Sequence, residues 1–294
     1  YQCDWSSDVC SSDLACSSGG GGKDLSEPAN CEVSSITAQN NIVGGRVIEL
    51  GTYYSSSTVQ VLQEINGQVE ICTGTLVAPN IVLTAAHCIS RYSSDAAVVA
   101  FTNSYNCFNQ APLRTGRAIV SRKVHPDYIN GWEKPENAAH DLALVRFSGE
   151  TPVGTQPRAL VKEPQINLGN QLIMTGYGKT KEKGNDSGKL RLTTTPMSHL
   201  SRSYYDARLR SKVSARDTWV VSQPYTGVCN GDSGGPLFME TSSGLVQIGV
   251  VSQGVAPDDS DNYDTVCHGD ALFTEISADR NWNWIQKSIE ELKN

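Results

Sequence analysis

Short runs of branched side chains, each ended by turn-forming residues, recur along the chain and constrain its fold more than any other feature. The first two, TVQVLQEI and QVEICTGTLV, flank Asn66-Gly67, a strong hairpin signal because both residues tolerate positive φ. Further runs are IVLTAAHC, RAIVSRKVH, DLALVRF, QLIMTGYG, LVQIGVVSQG and ALFTEI, separated by Gly, Pro, Asn and Ser. Many short strands with little helix predict an all-β fold of barrels or sandwiches.

The C-terminal segment departs from this pattern. Ser277 and Asp279 precede it, and either could cap a helix. Apolar side chains then recur at helical spacing, at Trp282, Ile285, Ile289 and Leu292. We expect one terminal α-helix that packs on the β body.

Charge and hydropathy exclude two classes of function. The 294 residues include 24 Lys and Arg against 31 Asp and Glu, a formal net charge of −7, with no basic run. Phosphate binding needs a basic face, so we expect no nucleic-acid partner. No apolar stretch reaches the roughly 18 to 20 residues that a membrane-spanning helix needs, so the folded part is expected to be soluble.

Residues 1–41 are expected to lie outside the folded domain. Residues 1–14 resemble the in-frame translation of a DNA-sequencing adapter, and we set them aside. Residues 15–41 read as a linker or propeptide. Within them Cys16, before a Ser/Gly tract, resembles the lipobox cysteine of a bacterial lipoprotein, although Asp13 stands where a lipobox has an apolar residue. A plain flexible linker is the alternative.

The cysteines indicate an oxidising compartment. The chain has 9 cysteines and no CxxC or His-rich metal spacing, so disulfides formed outside the cytoplasm are expected. Without Cys3, Cys10 and Cys16, six remain, enough for three bridges: Cys31, Cys72, Cys88, Cys107, Cys229 and Cys267. The acidic run at 258–264 lacks the spacing of an EF-hand loop, so we expect no metal and no cofactor.

Three polar residues have the chemistry of nucleophilic catalysis. A serine nucleophile needs a base, a buried anion that orients the base, and donors for the developing oxyanion. Ser233 in GDSGGP is the candidate nucleophile, and Gly231 can aim its N–H and that of Ser233 at one oxygen. His87 in LTAAHC is the candidate base, and Asp141 in HDLALVRF the candidate anion. Taken alone, this histidine is more typical of a packed side chain and this aspartate of a strand-start cap.

Four motifs together resemble the trypsin/chymotrypsin family of serine endopeptidases. They are IVGG at 42–45, TAAHC at 84–88, DLAL at 141–144 and GDSGGP at 231–236. The resemblance covers residues 42–294. It implies two six-stranded antiparallel barrels with a His87-Asp141-Ser233 triad between them, which cleaves peptide bonds through an acyl-enzyme.

The resemblance also implies roles for residues around the triad. Gly231 and Ser233 would supply the oxyanion hole. Ser252 and Gly254 would support the catalytic aspartate and pair with the substrate backbone, while Gln253 stands where the family usually has tryptophan. Two disulfides follow the family, Cys72 with Cys88 and Cys229 with Cys267, which would leave Cys31 to pair with Cys107 and keep the propeptide attached.

Activation is implied by the IVGG motif. In relatives, a new N-terminus at this isoleucine folds inwards and its ammonium pairs with the aspartate before the nucleophile, here Ile42 and Asp232. Asn41 stands where most relatives have Arg or Lys. We therefore expect a zymogen that is cut by an activating protease of another specificity, or by itself.

Substrate preference in this family depends largely on the residue six positions before the nucleophile. Trypsin-like members carry aspartate there, and this chain has Gly227. A neutral base favours apolar or small substrate side chains, because an ammonium buried without a partner is strongly penalised. Some relatives with glycine there place a compensating aspartate on the far wall. Asp270 in HGDALF is the candidate for such a Lys/Arg preference.

The sequence disfavours two other functions. A non-catalytic relative that only binds partners usually lacks a triad residue, and all three are present. Lipases and esterases place the serine first in the chain, and the order here excludes them. We expect an extracytoplasmic serine endopeptidase, secreted or lipid-anchored in a bacterial cell envelope, with protein or peptide substrates; the sequence leaves its oligomeric state open.

Overall fold

The first half of the chain forms a closed antiparallel barrel. The structure is a computed structural model that describes residues 42–293 except 66–67, 90–96, 103–115, 130–134, 182, 207–209, 243 and 256–266. The strands in this half of the chain are β1 (Arg46–Val47), β2 (Thr58–Ile65), β3 (Gln68–Ala78), β4 (Ile81–Thr84), β5 (Ala97–Ala100), β6 (Arg117–Val124) and β7 (Ala143–Phe147). The barrel closes in the order β2-β3-β4-β7-β6-β5.

The predicted first hairpin is confirmed as a strand pair. β2 and β3 pair antiparallel from Thr58 opposite Thr75 to Ile65 opposite Gln68. The Asn66-Gly67 turn itself lies outside the described residues. All four residues of β4 are buried, since this strand lies between β3 and β7.

The second half forms a half-barrel sheet. Its strands are β8 (Gln171–Gly176), β9 (Arg191–Pro196), β10 (Leu200–Ser201), β13 (Thr218–Ser222), β14 (Pro236–Thr241), β15 (Gly244–Val255) and β16 (Asp270–Glu275). Together with β1 they make an eight-stranded sheet in the order β1-β9-β8-β14-β15-β16-β13-β10. A separate hairpin joins β11 (Ser203–Asp206) to β12 (Ser211–Ser214). The all-β prediction is confirmed.

The predicted terminal helix is also confirmed. Helix α1 (Asp279–Lys293) buries Ile285, Ile289 and Leu292 in the apolar cluster of the first barrel. Burial of this apolar stripe is the main force that holds such a helix in place. The helix therefore ties the C-terminal end of the chain to the barrel formed by its first half.

Two disulfides join cysteines among the described residues. One joins Cys72 in β3 to Cys88 in the turn after β4, and the other joins Cys229 to Cys267. Cys31, Cys107 and Cys16 lie outside the described residues, as do all the sequence features before Ile42. Within the described ranges, no helix has both the length and the apolar character needed to cross a lipid bilayer.

Candidate active site

Adjacent strands of the first barrel bring His87 and Asp141 together. His87 lies in a 3₁₀ turn, Ala86–Cys88, directly after β4. Asp141 lies between another 3₁₀ segment, Pro135–His140, and the start of β7. Thr84 at the end of β4 is paired with Ala143 at the start of β7. Because the strands are antiparallel, the chain leaving β4 and the chain entering β7 meet at one edge of the barrel.

The carboxylate of Asp141 is a buried acceptor for three donors. His87 Nδ1 lies 2.7 Å from Oδ2, and the His87 backbone N–H donates to Oδ1 at 2.9 Å. The Ser252 hydroxyl, from β15, donates to Oδ2 at 2.6 Å. Burial raises the pKa of Asp141, but the His87 imidazole and the hydrogen bonds from His87 and Ser252 lower it by more. The pKa of Asp141 therefore lies below its ordinary value.

An ionised Asp141 fixes the state of the histidine ring. An ionised carboxylate can only accept hydrogen bonds, so it selects the neutral imidazole tautomer with its proton on Nδ1. The lone pair is then on Nε2, the nitrogen that a general base needs. A positive charge that forms on the ring would be stabilised by the same carboxylate.

The loop that carries Ser233 is held against the first barrel. Thr73 of β3 donates its N–H to the Ser233 carbonyl at 2.8 Å and its hydroxyl to the Gly231 carbonyl at 2.9 Å. The N–H of Gly234 donates to the Val251 carbonyl at 2.8 Å in β15. The loop is therefore fixed from both halves of the molecule, at the boundary where His87 also lies.

Two glycines of this loop adopt backbone conformations that favour glycine. Gly231 and Gly234 have φ of +100° and +80°, in the left-handed region that favours glycine. A Cβ on Gly234 would also lie 2.1 Å from Thr84 Oγ1 and 2.4 Å from the Thr73 carbonyl oxygen. The GDSGGP sequence thus matches a backbone that passes against β3 and β4.

Asp232 is buried beneath the loop. Its Oδ1 accepts the Gly178 N–H at 2.7 Å and its Oδ2 the Cys229 N–H at 2.9 Å. Burial raises the pKa of Asp232 to about 6, against the opposing effect of these hydrogen bonds and of Arg191. Arg191 is itself fully buried and donates Nη1–H to the Gly178 carbonyl at 2.6 Å. The site therefore holds a carboxyl group whose ionised form is costly.

The IVGG segment is packed behind the base of the same region. Ile42 is fully buried, and Val43 pairs with Gly227, whose N–H donates to the Val43 carbonyl at 3.0 Å. Ile42 has φ of +57°, which is a strained conformation for a β-branched residue. Cleavage before Ile42 would remove this dihedral constraint, because φ is defined by the preceding carbonyl carbon.

Strands β15 and β16 lie near the loop that carries Val228 and Ser233. Gly254 of β15 is paired with Ala271 of β16, and Ser252 points to Asp141. Ala271 belongs to the same buried apolar cluster as Val228 and Phe273. The Gly227 to Ser233 loop lies next to these strands, as the bond from Gly234 to Val251 indicates.

Asp270 points away from this cluster. Side chains alternate along a strand, so Asp270 and Ala271 lie on opposite faces of β16. Burial raises the pKa of Asp270, while the Ser222 hydroxyl, Lys212 and the Tyr205 backbone lower it. The surroundings of its carboxyl group are therefore the end of β13 and the β11–β12 hairpin.

Sequence reasoning missed three residues that shape the site. Thr73 bridges the two halves, Arg191 lies near Asp232, and the fully buried Gln223 contacts Val228. None of them belongs to a recognisable motif. Each of them reaches the site only through the tertiary fold.

Three residues of types that can bind a metal lie close together near Asp141. His125 and His140 stack with ring centroids 4.8 Å apart and planes 8° apart, and Asp127 lies beside them. A metal must lie in the ring plane of each histidine ligand, and two parallel, separated planes share no such point. Arg280 also contacts the Asp127 carboxylate at 2.5 Å. We therefore assign this group to packing of α1 on the barrel.

Comparison with known proteins gives one family. The Trypsin family model matches residues 42–274. Serine protease 28 of Mus musculus is 28% identical over 82% of this chain and 87% of its own length. Phenoloxidase-activating factor 3 of Holotrichia diomphalia is 26% identical over 84% of this chain and 72% of its own length. Trypsin of Simulium vittatum is 26% identical over 73% of this chain and 83% of its own length.

These relatives bear on two of the sequence expectations. All three are animal proteins, so the comparisons give no support to an origin in a bacterial cell envelope. Their names include a serine protease and a trypsin, which agrees with the expectation that this chain is a hydrolase with protein substrates.

Proposed function

The chain belongs to the Trypsin family, and on that premise we propose that it is a serine endopeptidase with Ser233 as nucleophile, His87 as general base and Asp141 as the orienting anion. The observation that carries the proposal is the buried Asp141 carboxylate, which accepts hydrogen bonds from His87 Nδ1, His87 N and Ser252 Oγ. Three donors on one carboxylate are what an anion needs if it is to stay ionised and hold an imidazole in one orientation.

The reaction uses these groups in turn. His87 Nε2 takes the hydroxyl proton as Ser233 Oγ attacks the peptide carbonyl carbon, and the N–H groups of Gly231 and Ser233 bind the oxyanion. The C–N bond then breaks, and His87 gives the proton to the leaving amine. Water attacks the acyl-enzyme with His87 again as base, which releases the acid and restores Ser233.

Covalent labelling tests this proposal. A fluorophosphonate should label the activated protein on Ser233, and the label should be lost in Ser233→Ala. Absence of label from the activated wild type, with normal binding of peptides, would instead favour the non-catalytic relative that only binds partners.

Activation would proceed by a cut between Asn41 and Ile42. The buried position of Ile42 and the costly buried carboxyl of Asp232 support this part of the proposal, because a new ammonium group would find a carboxylate without a full counter-charge. Full activity with an intact Asn41–Ile42 bond, read by mass spectrometry, would contradict it. The activating protease must accept asparagine before the cut.

Substrate preference follows from the neutral base at Gly227. We expect cleavage after apolar or small residues; the alternative is cleavage after Lys or Arg through Asp270. The direction of the Asp270 side chain, towards Ser222 and the β11–β12 hairpin, favours the first. A peptide-library profile of the cut protein, with Ser233→Ala as blank, distinguishes the two.

The two disulfides support an extracytoplasmic location. A lipid anchor on Cys16 and a Cys31–Cys107 bridge are separate hypotheses on residues outside those described. Lipid labelling of the wild type but not of Cys16→Ser would support the anchor, and labelling of neither would contradict it. The bridge requires the propeptide to stay attached after the cut until a reductant is added.

A further inference from the structure

We propose that the carboxamide of Gln223 forms the floor of the specificity pocket and restricts it to uncharged substrate side chains of small to medium size. The proposal rests on the proposed function, because it takes Gly227 as the base of a substrate pocket. It adds a residue that specifies the substrate and that lies outside all four family motifs.

Gln223 is buried and held at both ends. It follows β13, and its backbone N–H donates to the Gly269 carbonyl at 3.0 Å. Its side chain turns back to Val228, where Oε1 accepts the backbone N–H at 2.5 Å and Nε2 donates to the carbonyl at 3.3 Å. The side chain is 0% exposed. Each polar atom of the carboxamide therefore makes one hydrogen bond to Val228, and these two bonds set its orientation.

This carboxamide occupies the space that a side chain at position 227 would need. A Cβ on Gly227 would lie 2.0 Å from Gln223 Oε1, 2.1 Å from Cδ and 2.6 Å from Cγ. Real Cβ atoms do not approach other atoms so closely. Gly227 is absent from the positive-φ glycines among the described residues, so its backbone alone does not demand glycine. The physical reason for glycine here is the volume filled by Gln223.

The chemistry of the floor decides which substrates fit. A carboxamide has no net charge, so a lysine or arginine side chain would lose its hydration without gaining a counter-charge. The buried Val228 and Ala271 side chains narrow the same region with apolar surface. This arrangement accommodates uncharged substrate side chains without a large ring.

Charge reversal at the floor is the direct test. Gln223→Glu keeps the shape and adds a carboxylate, so the cut enzyme should raise its kcat/KM for Lys or Arg substrates about tenfold or more relative to alanine substrates. Gln171→Glu, which adds the same charge at an exposed position in β8, is the matched control and should leave the profile unchanged. An unchanged Lys/Arg ratio in a folded Gln223→Glu enzyme would overturn the proposal.

A steric test does not depend on burying a charge. Gly227→Ala should clash with Gln223 and lower kcat/KM and Tm in the wild-type background, and the same substitution should cost much less in a Gln223→Gly background. Equal costs of Gly227→Ala in the two backgrounds would refute the shared volume. Fluorophosphonate labelling of Ser233 is measured in every variant. If labelling is normal but substitution of Gln223 leaves the substrate profile unchanged, the proposed role of Gln223 is wrong and the proposed function stands. If the wild type is never labelled, the proposed function itself fails.

Discussion

Cutting the Asn41–Ile42 bond should stabilise the protein at neutral pH and have little effect on its stability in acid. In the uncut chain Asp232 is buried with two backbone donors, and its pKa is about 6 instead of 3.8. A carboxyl group with a raised folded-state pKa binds its proton more tightly in the folded state. Its contribution to stability is fully present below about pH 4 and is lost as the pH rises through 6.

The magnitude follows from that pKa difference. About two pH units correspond to about 3 kcal/mol that the uncut chain loses at pH 7 by ionising Asp232 in a buried site. An ammonium at Ile42 would favour the ionised form and offset some or all of this loss. The free amino group ordinarily has a pKa of about 8. The gain from cutting should therefore be greatest between about pH 6 and 8 and fall on both sides.

Urea unfolding of matched cut and uncut samples measures this difference. Ser233→Ala prevents self-digestion, and an enteropeptidase site in place of residues 37–41 permits a cut that leaves Ile42 as the N-terminus. The free energy of unfolding is compared at pH 4.5, 7 and 9. Asp232→Asn removes the carboxylate that would pair with the new ammonium, so cutting should no longer stabilise the protein at pH 7. A gain of equal size at all three pH values, or one that survives in Asp232→Asn, would refute the reasoning.

Three substitutions test other parts of the site. Asp141→Asn should lower kcat about 10⁴-fold while leaving KM nearly unchanged, because the imidazole loses its tautomer and its counter-charge; a loss below tenfold in steady-state assays would exclude the proposed role. Gly234→Ala should destabilise the fold by about 3 kcal/mol or more in urea unfolding, since positive φ and contact with β3 both oppose a side chain. A near-native value would mean that the loop can move away. Arg191→Met should lower Tm of the uncut chain more at pH 7 than at pH 4.5, because Arg191 helps to offset the charge of Asp232. Equal losses at the two pH values would assign this arginine to packing alone.

Local patterns in the sequence were sufficient for much of the fold. The hairpin from β2 to β3 could be predicted because its turn residues and flanking runs are contiguous, and helix α1 because its apolar side chains recur with the helical period. The cysteine pairs Cys72–Cys88 and Cys229–Cys267 followed from the family resemblance. In each case the informative residues lie within one segment or one family motif.

The remaining features depend on tertiary contacts that no segment contains. Arginine is normally exposed, and nothing near Arg191 in the sequence announces that Gly178 and Asp186 will accept its donors in the interior. The face of Asp270 depended on the register between β13, β15 and β16, where an error of one residue reverses every side chain. Gln223 is four residues from Gly227, but only the reversal of the chain between them brings its carboxamide back.

The activation segment and the pocket floor share one piece of backbone. Val43 is paired with Gly227 on one side, while Gln223 holds the next residue, Val228, by both atoms of its carboxamide. Cys229 follows directly and donates its N–H to Asp232. Three consecutive residues thus contact the IVGG segment, the proposed floor and the buried carboxyl group in turn. These contacts lie on a single stretch of chain. Under the proposed activation, a new ammonium at Ile42 would therefore act on the Asp232 carboxyl group and on the proposed floor through the same three residues.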